Sequence, residues 1–427
     1  ARDATTPLPS FTFFFFRRTL MFSIKQHISA LFLFALLFTL PLFVACQNNS
    51  DDNDYDTVTY SVIYVSEYGE TPAKISVEEN TVLTASQLPE LSASGYTFGG
   101  WYDGSAKAEA GSYKVTADVA LIAKWTAEIS VTADTAASAI QAITEAGTYT
   151  VKLTGAITSD TIIALRAALR SLTNDGTDAT IFINLDLSET TGLTVLGDID
   201  DDDNAARLSG IDSLLSLTLP EGLVSIGWNA IRNNKNLKTI VFPSTLQTLG
   251  RNSLRYCFSL THATLPSNLK TIDKNAFYDD PLINIGELPS SLTTIGNNAF
   301  KYCKKIQPAD LVIPDSVTSL GSSVFEEAYL DSVVIGQGIT TIPYSAFKGA
   351  DIIELTIPAA VTTIESKAFD DNYYLKTINY GGTKAQWNAI VKGSNWYSIS
   401  DDASDEEANY DGITVKCSDG TITLTAE

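Results

Sequence analysis

The stretch LTIPAAVTTIESKAF at residues 355–369 decides the fold, because close copies of it recur along the chain. ATLPSNLKTIDKNAF lies at 263–277, GELPSSLTTIGNNAF at 286–300 and LVIPDSVTSLGSSVF at 311–325. A Pro or Gly ends the strand-like part of each copy: Pro220, Pro243, Pro266, Pro289, Pro314, Gly336, Pro358 and Gly381. The intervals between these positions are 23, 23, 23, 25, 22, 22 and 23 residues. A nearly fixed period of this length indicates a repeat array.

Three columns of apolar residues keep a constant distance from that Pro or Gly. They lie three, six and eleven positions after it, and after Pro220 they begin with Leu223, Ile226 and Ile231. The third column is Phe in every copy from Phe277 to Phe369. One short coil cannot bury such a face alone, so stacked coils must share a core. The sequence therefore predicts a repeat solenoid.

Each coil of 22–25 residues is expected to contain one β-strand followed by a short helix or an irregular segment. Residues one and three positions before the Pro or Gly are predicted to point inward, and the residue two before it outward. Eight such strands would form a continuous sheet roughly 38 Å long. The outward row is too mixed for a core and is the candidate binding face: Thr218, Val241, Thr264, Glu287, Val312, Val334, Thr356 and Asn379.

The consensus LTxIxIPxxVTxIGxxAFxxC resembles the BspA-type leucine-rich repeats of bacterial surface proteins and lipoproteins. The resemblance runs from Leu187 to Tyr380, and the repeats proper are expected over residues 213–381. Residues 382–427 are similar to the terminal segment of that family, and Trp387, Trp396 and Val415 are expected to cover the open end of the core. The resemblance implies adhesion to matrix components or to other bacteria.

Composition narrows the classes of function. The 427 residues carry 28 basic and 50 acidic side chains, a net charge of −22. Because phosphate binding needs clustered Lys and Arg, nucleic acid is not expected as a partner. His27 and His262 are the two histidines, and the four cysteines match no zinc spacing. No enzyme activity, metal site or cofactor is therefore expected.

The N-terminal region has the pattern of an export signal. Residues 1–20 are interpreted as an upstream extension, and residues 21–45 have the basic start, apolar run and small final residue of a secretory signal. LFVAC, which ends at Cys46, resembles the lipobox of bacterial lipoproteins, so a lipid anchor on Cys46 at the outer membrane or cell surface is expected. An uncleaved membrane anchor is the alternative. Residues 46–56 are predicted to be an acidic tether.

Residues 57–127 are predicted to form a small β module. GYTFGGWYDG at 95–104 and VALIAKW at 119–125 resemble the internalin-type B repeat, or Listeria–Bacteroides repeat, whose fold is β-grasp-like. Trp101 and Trp125 are expected to fill its core, with a sugar-stacking platform as the alternative.

Residues 128–212 are predicted to be an α/β cap with a first irregular repeat. One helix is expected to begin at Asp134, and a second at Ser159 or Asp160. The run DIDDDDN at 198–204 lacks the Gly and Glu of a calcium loop, so a solvated loop is favoured over a calcium site.

Cys257 and Cys303 occupy the same coil position two coils apart, which is too far for a disulfide. They are predicted to be buried free thiols, whereas His262 falls in an outward position and gives no catalytic dyad. The favoured function is an envelope-anchored adhesin that binds a protein through its repeat sheet. A carbohydrate-binding lipoprotein and a purely structural envelope protein remain as alternatives.

Overall fold

The structure, a computed structural model, describes residues 58–172, 180–197, 206–280, 283–398 and 412–425. The chain divides into two units, Ala1–Val58 and Thr59–Glu427, and every helix and strand given below belongs to the second. The predicted signal segment, Cys46, the acidic tether and the loop at 198–204 lie outside the described residues.

The first part of the second unit is a β module with an aromatic core. Its strands are β1 (Thr59–Val65), β2 (Ile75–Glu78), β3 (Tyr96–Asp103), β4 (Ala106–Lys107) and β5 (Val119–Thr132). A single 3₁₀ turn covers Ala85–Gln87. Strand β5 pairs in parallel with β1 and antiparallel with β3. Trp101 is almost fully buried and packs edge-on against Tyr64 and Phe98.

The sheet of this module continues into the rest of the unit. Parallel pairing joins β5 to β6 (Gly147–Ala156), β6 to β7 (Ile181–Thr191), and β7 to β9 (Leu214–Thr218). The fourteen residues of β5 run through residue 127. The domain boundary expected there therefore falls inside a strand, because the end of β5 extends past the module to pair with β6.

Two helices, α1 (Ala136–Gln141) and α2 (Ser159–Ser171), confirm the predicted helical segments, but their N-caps differ from the prediction. Thr158 caps α2 in place of Ser159 or Asp160, and its hydroxyl accepts a hydrogen bond from the Thr161 N–H at 3.3 Å. Thr135 precedes α1 in place of Asp134 and makes no side-chain cap bond. In both helices the N-cap is the Thr next to the expected residue, because Thr also belongs to the residue types that cap helices and composition alone does not choose between adjacent candidates.

The repeat coils form two columns of strand segments, of which only the first was predicted. The first column contains β9, β11 (Thr239–Val241), β15 (Asp310–Val312), β17 (Ser332–Val334), β19 (Glu354–Ile357) and β21 (Thr377–Tyr380). The second column consists of two-residue parallel strands, and all but the first and the last lie five and six positions after the Pro or Gly. They are β8 (Val195–Leu196), β10 (Ser225–Ile226), β12 (Thr248–Leu249), β13 (Thr271–Ile272), β14 (Thr294–Ile295), β16 (Ser319–Leu320), β18 (Thr341–Ile342), β20 (Thr363–Ile364) and β22 (Val391–Lys392).

The predicted apolar columns form one core that runs through the stack. Their members are buried throughout, except that Leu320 is half-buried against the same core. The rings of Phe277, Phe300, Phe325, Phe347 and Phe369 stack with centroids 5.2–5.5 Å apart and planes within 12°. This spacing is close to the separation of neighbouring strands, so each coil adds one ring to the pile. The solenoid prediction is confirmed.

An asparagine ladder holds the turn that follows the second strand. Asn229, Asn252, Asn275 and Asn298 all have φ between 53° and 56°, a left-handed conformation that Asn tolerates better than most residues. The amide of each donates to the side-chain oxygen of the one before it, at 2.9–3.1 Å. The recurring Asn therefore satisfies both the backbone geometry and the contact between coils.

The first-column sheet is not continuous, which corrects the expected eight-strand ladder. Between β11 and β15 only isolated bridges link Thr239, His262, Asn284 and Gln307 in turn. The distance from the bridge to the following Pro is four residues at His262 but five at Asn284. The extra residue moves the strand out of register, and regular pairing resumes at Asp310.

The C-terminal segment closes the last coil. It contains α3 (Lys384–Ala389), β23 (Ile413–Cys417) and β24 (Gly420–Leu424). Trp387, Trp396 and Val415 are all buried. The ring centroids of Trp396 and Phe369 lie 6.5 Å apart in an edge-on contact. These side chains extend the core beyond the final Phe of the stack.

Candidate protein-binding face

The strand face is the row of outward side chains on the first column of strands. Every predicted member is exposed or half-buried: Thr218, Val241, Thr264, Glu287, Val312, Val334, Thr356 and Asn379. The inward neighbours of the same strands, such as Leu311 and Ile313, are buried. The alternation along each strand therefore places these side chains in solvent, as the sequence predicts.

The second half of the strand face is the more regular. Val312, Val334, Thr356 and Asn379 lie side by side in parallel register on β15, β17, β19 and β21. Lys416 on β23 continues the row. Neighbouring strands are about 4.8 Å apart, so these side chains form a row roughly 19 Å long.

Side-chain hydrogen bonds between neighbouring coils hold polar groups in place beside this row. The Ser332 hydroxyl donates to Asp310 Oδ1 at 2.6 Å, and the Asn379 amide donates to Glu354 Oε1 at 2.5 Å. Both carboxylates remain exposed. The face therefore combines apolar Val side chains with acceptors that are held in place from the neighbouring coil.

In the first half the row is broken at Glu287. Thr218 pairs with Val241, and the row continues to Thr264. A Cβ at Gly286 would lie 3.2 Å from the Thr264 methyl group, which places Gly286 and not Glu287 beside Thr264. Glu287 is displaced by the extra residue of its coil, so the sequence prediction of its place in the row was wrong.

The Cys257 and His262 side chains do not meet. Cys257 is completely buried and its thiol points to the Ile231 carbonyl, 3.4 Å away, whereas His262 is exposed and contacts the Thr261 hydroxyl at 2.9 Å. Burial raises the pKa of the Cys257 thiol well above its ordinary value. A buried, protonated thiol has neither the access nor the ionisation of a nucleophile.

Cys257 and Cys303 are free and buried, as predicted, and they belong to a column that sequence reasoning missed. This inner column, fourteen residues after the Pro or Gly, contains Asn234, Cys257, Asp280, Cys303 and Asn372, all buried. Each side chain that donates in this column bonds to a carbonyl of the preceding coil, as Cys303 does to Phe277 at 3.0 Å. The signal was present in the equal spacing of these residues.

Asp280 is the exceptional member of the inner column. Its Oδ1 accepts the Cys257 N–H at 2.7 Å, but its Oδ2 is buried without a partner. Burial in this apolar setting raises the pKa of Asp280 well above its ordinary value. The carboxyl group therefore favours its protonated form in the folded protein.

The two Trp side chains of the β module serve its core. Trp101 is buried, and its indole N–H donates to the Pro89 carbonyl at 2.8 Å. The Trp125 N–H donates to the Ser66 hydroxyl at 3.0 Å, and its ring packs edge-on against Phe98. Because Trp101 offers no ring face to solvent, the sugar platform considered for this pair is not formed.

Two further findings concern the described part of the chain. It contains no group of three or more His, Cys, Asp or Glu side chains placed to hold a metal ion. Nor does any helix within it have the length and apolar character needed to cross a membrane.

Comparison with known families agrees with this geometry. Residues 207–307 and 308–392 match the BspA type leucine rich repeat region, in six copies. Residues 207–392 of this chain are a BspA type leucine rich repeat region. Residues 60–124 also match the Listeria-Bacteroides repeat domain, which fits the β module. Repeat arrays of this family are typical of protein-interaction modules and not of enzymes.

Solved structures with a similar fold are bacterial leucine-rich repeat proteins. One from Bacteroides ovatus is 23% identical over 52% of this chain and 64% of its own, with a TM-score of 0.34. The leucine rich repeat protein of T. pallidum is 26% identical over 38% of this chain and 78% of its own, with a TM-score of 0.33. A leucine rich cell surface protein from Faecalibacterium prausnitzii is 19% identical over 66% and 88%, with a TM-score of 0.26. The curated proteins contain no match.

Proposed function

We propose that this protein is an exported, envelope-anchored adhesin that binds another protein through its strand face. The observation that carries the proposal is the exposure of apolar side chains in register. Val312 is 56% exposed and Val334 38%, on neighbouring strands of a sheet whose other side is fully packed. Apolar side chains flanked by polar groups are typical of the centre of a protein interface.

The proposed partner is a protein of the extracellular matrix or of a bacterial surface. The second half of the strand face is a row of side chains on five neighbouring strands, roughly 19 Å long, which suits a broad protein surface better than a small molecule. The exposed carboxylates of Asp310 and Glu354 would accept hydrogen bonds from Lys or Arg of that partner.

The binding test compares two variants of matched chemistry. Purified protein is titrated over a panel of immobilised matrix proteins and bacterial surface proteins. We expect saturable binding to at least one of them, and a loss of more than about tenfold in the Val312→Asp, Val334→Asp double variant. Val224→Asp is the control, because Val224 is also 38% exposed but lies outside the strand face. Absence of saturable binding, or equal loss in the control, would contradict the proposal.

The anchor is tested separately. The signal-like residues 21–45 and the lipobox-like LFVAC support export and attachment through Cys46. Protease treatment of intact cells should release fragments of the repeat array, and mass spectrometry should find an acylated peptide that begins at Cys46. An unmodified Cys46 inside a longer N-terminal peptide would exclude the lipid anchor and leave the binding result unaffected.

A further inference from the structure

Charge is distributed unevenly along the repeat array. Residues 228–305 contain ten basic and four acidic residues, a net charge of +6, in a chain whose total is −22. Residues 306–427 contain six basic and eighteen acidic residues, a net charge of −12. One of the four acids in the first group, Asp280, is completely buried. The first four coils are therefore locally basic, which the net charge of the whole chain conceals.

Most of these bases lie on one edge of the stack. We define the turn edge as the positions twelve to sixteen after the Pro or Gly of each coil. In the first four coils its basic residues are Arg232, Lys235, Arg255, Lys301, Lys304 and Lys305. Equivalent positions of adjacent coils are about 4.8 Å apart, so the stretch from Arg232 to Lys301 spans roughly 14 Å. The bases lie along the stack in the first, second and fourth coils, and the third coil has none at these positions.

Aromatic rings hold these cations in place. The Arg255 guanidinium lies over both Tyr256 and Tyr278, 4.4 and 4.5 Å from the ring centroids, and also donates to the Tyr256 hydroxyl at 2.6 Å. Arg232 lies 5.6 Å from the Tyr256 ring, and Lys301 lies 4.9 Å from Tyr302. A ring orients a cation without cancelling its charge. The row is therefore ordered in advance and remains positive.

Carboxylates neutralise little of this edge. Among the described residues, one base of this edge forms an ion pair: Lys301 Nζ lies 2.8 Å from Glu326 Oε2. The acids at the turn-edge positions of these four coils are Asp280, which is completely buried, and Asp279, which is half-buried. Lys235, Lys304 and Lys305 are exposed. The edge thus presents several ordered or accessible cations to a ligand.

We propose that the turn edge of the first four coils binds a linear anionic polysaccharide through its sulfate or carboxylate groups. Such a polymer carries charges along its whole length, which suits cations that three of the four coils spread over roughly 14 Å of the stack. Guanidinium groups bind sulfate and carboxylate through two parallel hydrogen bonds. This site is separate from the strand face and from its protein partner.

The covered rings argue against a nucleic acid. Single-stranded nucleic acids are held by free aromatic faces on which bases stack. Here Arg255 lies over Tyr256 and Tyr278 and Lys301 lies over Tyr302, so among the described turn-edge rings of these coils Phe258, which is 42% exposed, is the one left open to a base.

The test uses the purified protein and a heparin oligosaccharide as the probe, titrated between about 50 and 200 mM salt. We expect binding that weakens steadily with salt. The Lys235→Gln, Lys304→Gln double variant should bind roughly tenfold to thirtyfold more weakly, since each cation contributes about one factor of five. The salt dependence of log Kd should also become shallower, by about one unit per lysine removed.

The controls separate this site from general charge and from the strand face. Lys376→Gln with Lys416→Gln removes the same charge from exposed positions away from the turn edge and should leave binding unchanged. The strand-face double variant should also bind the probe normally. Equal affinity for poly-glutamate or single-stranded DNA of the same charge would overturn the polysaccharide assignment. Undiminished binding in the turn-edge variant would overturn the site.

Discussion

Replacing Asp280 with Asn should stabilise the protein at neutral pH. Two other members of the inner column show what Asn does there. Asn234 donates to the Leu208 and Ile231 carbonyls at 2.7 and 2.9 Å, and Asn372 donates to Phe347 and Phe369 at 2.7 and 3.0 Å. Asp280 Oδ1 likewise accepts an N–H of the preceding coil, that of Cys257, but its Oδ2 has no partner. Asn would supply the missing donor.

The magnitude follows from the buried oxygen that has no partner. A buried polar atom without a hydrogen bond costs about 1–3 kcal/mol, and the Asn amide would donate where Asp280 Oδ2 does not. The pKa of Asp280 is raised in the folded state, so the folded protein binds more protons than the unfolded chain above the ordinary pKa, and the contribution of Asp280 to stability falls as the pH rises from there. We expect Asp280→Asn to gain about 1–3 kcal/mol at pH 7, and this gain should shrink as the pH falls towards 4.

Urea unfolding followed by circular dichroism, repeated between pH 4 and pH 8, measures this difference. The matched control is Asn234→Asp, which places the same carboxyl group in an equivalent buried position and should lower stability with the same pH dependence. If Asp280→Asn is no more stable than the wild type at pH 7, or if its advantage does not change with pH, the account of a strained carboxyl group is refuted.

Three further changes test the core and the turns. Phe325→Ala should cost about 3–5 kcal/mol, measured by urea unfolding, because its ring is stacked on both sides; a cost below about 1 kcal/mol would contradict the continuous stack. Asn275→Gly should lower the free energy of unfolding less than Asn275→Ala, because Gly adopts the left-handed turn readily and loses only the ladder bonds. An equal decrease in the two variants would show that the backbone conformation contributes nothing. A thiol reagent should leave Cys257 and Cys303 unmodified in the native protein and modify them in urea, with half-buried Cys417 reacting sooner; rapid native labelling of Cys257 would contradict its burial.

The features that the sequence predicted depend on side chains with a strong period. Phe277 and its equivalents lie in the same place in every coil, and their burial follows from the spacing alone. The outward row was found in the same way, since alternation along a strand fixes which side chains face solvent. Register counted back from Pro failed at Glu287, because the extra residue lies between the strand and that Pro.

The features that were not predicted give only a weak sequence signal within any single coil. A two-residue strand such as Thr271–Ile272 is too short to show alternation, although Thr–Ile recurs at this position. The missing hydrogen bond of Asp280 depends on the residues of the adjacent coils, and only an alignment of the coils shows which residues these are. The basic turn edge was hidden by the net charge, since −22 for the chain masks +6 over its first coils.

The most direct test of the strand face is photo-crosslinking from single positions. A photoreactive amino acid at Val334 should capture the partner protein found in the binding panel, because Val334 lies in the middle of the proposed contact. The same group at Val224, which is equally exposed, should capture none. Crosslinking at Val224 with none at Val334 would contradict recognition through the strand face.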